Sequence, residues 1–287
     1  MIELGLGLRR YLHFRKKLLT ASLKMVRWQQ KLNKYVKVTE LIVPDLSNQN
    51  TKKKKYTNFL VNKLRNQHAF QIRFVSKIIN TLDFEPSVLD IGDSSGNHLL
   101  YLSHLCNLKS ISSCDIDPVA IEKLKKKDIK YYNCRADKLF KNYNLSENIY
   151  LSFEMVEHLH NPTEFFRQIS INGGDFTYFI ITVPYRYQSQ VGLKHIRHKN
   201  RHDRHQAADV HIFELSPDDW KRLASHAGLR AVKDEIYYQY PRHIPFISRF
   251  LKYYWSKGDF EGFYAVAFVR DNTYSKLYES WDVVSES

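Results

Sequence analysis

Residues 88 to 98 read Val-Leu-Asp-Ile-Gly-Asp-Ser-Ser-Gly-Asn-His. An apolar run that ends in an acid and passes into small residues has the character of a strand entering a turn, and Leu99 opens a helical pattern. Gly92, Ser94 and Gly96 would leave room for ligand atoms beside bare backbone, and the next helix would present its positive N-terminus there. A second candidate strand ends about 20 residues on at Asp115, where a doubly wound fold offers a carboxylate to ribose hydroxyls. Together these residues could recognise a nucleoside-bearing cofactor.

The kind of cofactor follows from charge. A dinucleotide site wants three glycines around a pyrophosphate, but Ser94 stands in the middle position and Asp90 and Asp93 add negative charge. Those acids suit a cofactor with no phosphate and a cationic centre, such as S-adenosylmethionine. Glu154, Glu157 and His158 follow a fourth apolar run, at the end of the sheet where such folds place the ligand crevice. Two carboxylates and an imidazole could also hold a divalent ion that lowers the pKa of a substrate hydroxyl. Tyr185 ends the fifth run. His195, His198, His202 and His205 then share one helical face among arginines and lysines, which fits a solvated lid better than a metal array.

The elements that must position these residues alternate. Strands are expected at 88–91, 110–115, 129–133, 148–153 and 176–183, with helical patterns after Asn97, Val119, Pro162 and Pro217. This predicts a doubly wound, mostly parallel α/β sheet. Two strands, 235–240 and 262–270, close the chain with no amphipathic helix of ordinary length between them. Ser216-Pro217-Asp218-Asp219 is a helix start and Gly228 a helix stop. Helical periodicity also runs over 8–35 and 58–82, the latter expected to cover the sheet edge. Residues 1–43 form a basic amphipathic extension, 44–56 a polar linker, 57–270 the catalytic domain and 271–287 a tail.

On these motifs the chain resembles the class I S-adenosylmethionine-dependent methyltransferases over roughly residues 70 to 270. The resemblance implies a seven-stranded sheet closed by an antiparallel hairpin. It implies that Asp90, Gly92, Ser94 and Gly96 contact the methionine part of the cofactor, and that Asp115 holds the ribose with Ile116 beside it. Ala136 and Asp137 would lie at the adenine, Asp137 taking the amino group because Arg135 replaces the usual acid. Glu154 would complete the cofactor contacts. The Glu-x-x-Glu-His pattern is similar to that of the ubiquinone-pathway O-methyltransferases, in some of which it is associated with a divalent metal. His211, just before Phe213-Glu214-Leu215-Ser216-Pro217, is the implied general base, with Glu157 and His158 assisting and Tyr185 orienting the acceptor.

Charge separates two regions. The first 80 residues carry 18 lysines and arginines against three acids, a net +15 of the chain's +14, so the remainder is close to neutral. The basic helical segment at 8–37 could therefore lie on an anionic membrane, pack on the body, or grip nucleic acid. Cys106, Cys114 and Cys134 lack metal-type spacing and are expected to be reduced and buried. With neither a membrane span nor a signal-like N-terminus, the chain is expected to be cytoplasmic. The expected activity is O-methylation of a small molecule or glycan. Alternatives are an RNA or protein methyltransferase that uses the basic arm, and a non-catalytic scaffold that keeps the fold. The acceptor and the oligomeric state are not encoded in any motif.

Overall fold

A computed structural model describes residues 2–46, 56–174, 176–192, 210–256 and 260–277, with side chains described from Tyr11 onward. Most of the histidine-rich segment, most of the polar linker and the last ten residues lie outside the described residues. The parallel strands are β1 (Ser87–Ile91), β2 (Ser110–Asp115), β3 (Lys130–Asn133), β4 (Ile149–Phe153) and β5 (Tyr178–Pro184). A short pair, β6 (Gln190–Val191) and β7 (Phe213–Glu214), stands apart, and β8 (Leu229–Tyr238) and β9 (Gly262–Arg270) finish the main sheet. Its order is β3-β2-β1-β4-β5-β9-β8, with β9 antiparallel to both neighbours. This is the mostly parallel, seven-stranded class I arrangement.

Central strands are apolar because both faces are covered. All five residues of β4 are buried, as are the last four of β1. One face carries helices α1 (Ile2–Gln29), α2 (Asn33–Ile42), α3 (Asn58–Ile79) and α4 (Asn97–Leu105). On the sheet lie also α5 (Pro118–Lys126), the single turn α6 (Leu139–Asn142), α7 (Pro162–Asn172) and α8 (Pro217–His226), the last two packing Phe166 and Trp220 together. Ser216 caps α8 by accepting from the Asp219 amide, Pro217 enters its first turn, and Gly228 leaves it at φ +86°.

Three elements differ from the sequence expectation. The expected helix over 8–35 is broken, because Lys31 takes φ +53° and the chain restarts as α2. Helix α3 does not cover an edge: it is packed on the sheet face, under α1 and α2, and is buried almost continuously from Arg65 to Ile79. Among its polar side chains, Arg65 donates to the Val43 and Pro44 carbonyls and Asn66 to that of Leu23. Most plainly, α9 (Pro245–Ser256) lies between β8 and β9, where no ordinary helix was expected. Its apolar residues fill one broad arc opposite Ser248, Arg249 and Lys252, so the helix is amphipathic, buried along one side of that arc and exposed along the other. Leu251 and Trp255 pack on Leu19 and Leu23 of α1, and the Trp255 indole donates to Ser22 Oγ. Strand β8 also begins at Leu229, six residues before the expected start. The three cysteines are buried, Cys114 Sγ lying 3.6 Å from Cys134 Sγ.

Candidate active site

The crevice begins where β1 ends. Asp90 and Asp93 are buried, and none of their four carboxylate oxygens has a hydrogen-bond partner among the described residues. His98, on the first turn of α4, places Nδ1 3.6 Å from Asp93 and 3.9 Å from Asp90. Its other nitrogen, Nε2, is 2.9 Å from Gln71 Oε1, and the Gln71 amide donates to Thr182 Oγ1. This chain spends the neutral ring's proton on Gln71, so Nδ1 gives the acids a hydrogen bond only in the imidazolium form. Burial, reinforced by the charges of Asp93 and Asp115, pushes the Asp90 carboxyl well above the usual range.

Asp115 fixes the turn above this cluster. Its Oδ2 accepts from the Ser94 amide at 2.9 Å and its Oδ1 from the Asp117 amide at 2.8 Å. Burial raises its carboxyl, against the pull of those amides. Ser94 sits in the left-handed region at φ +59°, a conformation a glycine adopts without strain. Gly92 and Gly96 are required for a different reason from ligand access. A Cβ on Gly92 would meet Met155 Cγ at 2.7 Å, and one on Gly96 would meet Ile129 Cδ1 at 2.5 Å, both at positive φ. The glycines let the turn close on the protein itself. Asp117 caps α5 through the Val119 amide, and Ile116 lies exposed beside Asp115.

The second half of the crevice forms beyond β4. Glu154 takes φ +53° and its amide donates to the Thr182 carbonyl, re-aiming the chain at the strand end. Glu157 is buried, and neither carboxylate oxygen has a hydrogen-bond partner among the described residues. Burial, then the charges of Glu154 and Glu214, push its carboxyl well up. The β6–β7 pair brings His211 back to this point, with the Ile212 amide donating to the Glu157 carbonyl. Gly192 allows the closure, since a Cβ there would lie 1.6 Å from the His211 carbonyl oxygen.

The His158 and His211 rings meet edge to face at 4.7 Å. His158 Nδ1 pairs with the Val210 carbonyl at 2.8 Å, and His211 Nδ1 with Glu214 at 3.2 Å. Burial alone would raise the Glu214 carboxyl, but hydrogen bonds from His211 and Gln190 and the charge of Arg186 hold it at about 2. His211 is therefore oriented by a permanent carboxylate and has a buried acid, Glu157, close by.

His211, Glu157 and His158 are thus brought together although 54 residues separate the first from the second. Tyr185 is apart from them, its ring against Tyr238 at 5.4 Å, and burial with the Tyr238 hydroxyl raises its phenol. On the adenine side, the Asp137 carboxylate is exposed and accepts from both Arg135 Nε and Nη2, at 2.9 and 3.0 Å. Ala136, beside it, is half-buried. The metal-type set is altered too: the ligand atoms of Glu157, His158 and His211 lie within 4.8 Å of one another, with His211 in the place expected of Glu154. Gln71, His98, Arg186 and Glu214 had no role in the sequence reading. Only Glu214, three residues from His211, left a local signal.

The turn after β1 and the histidine–carboxylate cluster thus stand at the same end of the sheet. Residues 54–234 match the methyltransferase-domain family, and the chain belongs to it. Its fold is that of the class I S-adenosylmethionine-dependent enzymes. Among solved structures it is similar to magnesium protoporphyrin IX methyltransferase from Synechocystis, bound to S-adenosylhomocysteine (TM-score 0.51, 10% identity, covering 76% of this chain and 90% of that one). It is likewise similar to an O-methyltransferase from a Brevibacillus brevis multienzyme, also with S-adenosylhomocysteine (0.50, 14%, 72% and 75%). The cyclase SpnF shares the fold as well (0.52, 12%, 72% and 83%). A search of curated protein sequences found no match.

Proposed function

We propose that the chain binds S-adenosylmethionine over the ends of β1, β2 and β4 and methylates an oxygen of a small molecule or glycan. The observation that carries the cofactor reading is the pair of buried acids, Asp90 and Asp93, whose oxygens lack hydrogen-bond partners among the described residues, beside a ribose-type carboxylate. A cationic amino acid moiety fits such a place, and a pyrophosphate does not. Asp115 keeps lone pairs for ribose hydroxyls beyond the two amides it accepts, and exposed Ile116 offers an apolar surface to the adenine. Two similar structures were solved with the demethylated cofactor, which supports the same reading.

When bound, the cofactor supplies an electrophilic methyl group. The acceptor oxygen forms the new bond to carbon while the sulfur–carbon bond breaks and its electron pair stays on sulfur. The acceptor's proton must leave, and His211, oriented by Glu214, is the group assigned to take it. Glu157 and His158 border that position and Tyr185 lines the wall; most of the rate comes from holding oxygen, methyl and sulfur in line.

The purified chain, given methyl-labelled S-adenosylmethionine with separated small-molecule, glycan, RNA and protein fractions, is expected to label the small molecules or glycans. Label confined to RNA or protein would overturn the acceptor class. Cofactor binding with no labelled fraction would favour a scaffold.

A further inference from the structure

Helix α9, absent from the sequence expectation, has a broad apolar arc that is only partly covered. Leu251 and Trp255 are buried against α1, while Phe246, Phe250 and Tyr253, spaced four and three apart, form an exposed stripe with Ile244 and Ile247 beside it. Phe246 is 90% exposed and Tyr253 52%. Single exposed apolar residues are ordinary, but a stripe of them on one helix is not. Arg249 and Lys252 flank the stripe and Arg242 precedes it, with no acid between residues 240 and 256. On the neighbouring α1 the stripe buried at Leu19, Leu23 and Val26 continues outward to Leu12 and Tyr11, both 44% exposed. Residues 4 to 39 contain ten lysines and arginines and no acid. Arg15 joins the two helices by donating to the Tyr254 carbonyl.

We infer that α9 and the outer half of α1 form a docking face for an anionic lipid bilayer. An interfacial helix needs an apolar stripe that enters the headgroup–acyl boundary and cations that meet acidic headgroups, and these helices present both, with Lys252 the one cation of α9 that pairs with an acid among the described residues, Glu261 at 3.4 Å. Nucleic acid would satisfy the cations, yet Ile244, Ile247 and Leu12 have no stacking plane to offer a base. No helix among the described residues is long and apolar enough to cross a membrane, so contact is peripheral. Because α9 is inserted between the crevice ends of β8 and β9, docking holds that side of the molecule at the lipid surface. The inference does not depend on the methyl-transfer reading.

The test is flotation of the full chain with vesicles of phosphatidylcholine alone or with about one-third phosphatidylglycerol. The wild type is expected to float with the anionic vesicles and to lose this in high salt. The combined Phe246→Ser, Ile247→Ser and Phe250→Ser variant is expected to partition at least about tenfold more weakly. These side chains are exposed, so its melting temperature and cofactor affinity should match the wild type. Equal flotation of variant and wild type, no flotation with anionic vesicles, or tight RNA binding in a gel-shift assay with no flotation would each overturn the proposal.

Discussion

The crevice holds two carboxylate–imidazole clusters that differ in closure. Asp90, Asp93 and His98 are all sealed under the turn after β1, with side-chain exposures of 8% or less. Glu157 is as buried, but its partners His158 and His211 stay partly open and connect through Glu214 to Arg186. A sealed cluster can only answer a charge brought to it, whereas an open one can exchange a proton with an incoming group. On the proposed reading the first recognises and the second reacts. The difference lies in surroundings, since residue types in the two are nearly the same.

The largest effect that would sharpen this contrast is expected from His211→Ala. Methyl transfer should fall about 10²- to 10⁴-fold, the range for a general base, with cofactor affinity within about threefold. Equal losses of rate and affinity would erase the division of labour. Asp93→Asn should do the reverse, weakening cofactor binding about tenfold or more in calorimetry by removing a charge that faces the cationic moiety.

A stability effect accompanies the sealed acids. Because the folded-state pKa of Asp90 lies above its unfolded value of about 3.9, its protonated form stabilises the fold at low pH, and that contribution is lost as pH rises. Asp90→Asn should therefore melt above wild type at pH 7, by about 2 to 4 °C for each 1 kcal/mol relieved, and the gap should shrink toward pH 4. Glu214 behaves oppositely. Held at about 2, it contributes stability above its unfolded pKa of about 4.3, which fades as pH falls toward 2. Glu214→Gln should flatten that acid limb in thermal scans.

The two smallest effects probe the edges of the comparison. Chelator treatment is expected to change methyl transfer by less than about twofold if His211 acts as a base. Loss restored by a divalent ion would transfer its role to a metal held with Glu157 and His158. Asp137→Ala should leave cofactor affinity within about twofold, since its carboxylate already serves Arg135 at the surface.

How much of this the sequence disclosed depended on sequence distance. The turn after β1 was legible because Asp90 to Gly96 are consecutive, and the centre of the sheet because β4 and β5 are nearly continuous apolar runs. The reason for Gly92 and Gly96 was not legible: they accommodate Met155 and Ile129, contacts that only the fold creates. His98 looked like an ordinary helix residue until α3 laid Gln71 against it. Nor was the part played by Asn148 legible: it clasps β1 to β4 by accepting from the Ser87 amide and hydroxyl. Helix α9 carries its own 3.6-residue pattern, an apolar arc opposite Arg249 and Lys252, so it was legible in the sequence although no helix was expected there.

The central claim is that the acids over β1 and β2 select S-adenosylmethionine, and calorimetric titration of the full chain with that cofactor tests it most directly. One saturable site is expected in the wild type, with affinity at least about 30-fold weaker in Asp115→Ala, in line with loss of a carboxylate that holds two hydroxyls. No binding by the wild type, or an unchanged affinity in Asp115→Ala, would contradict the account.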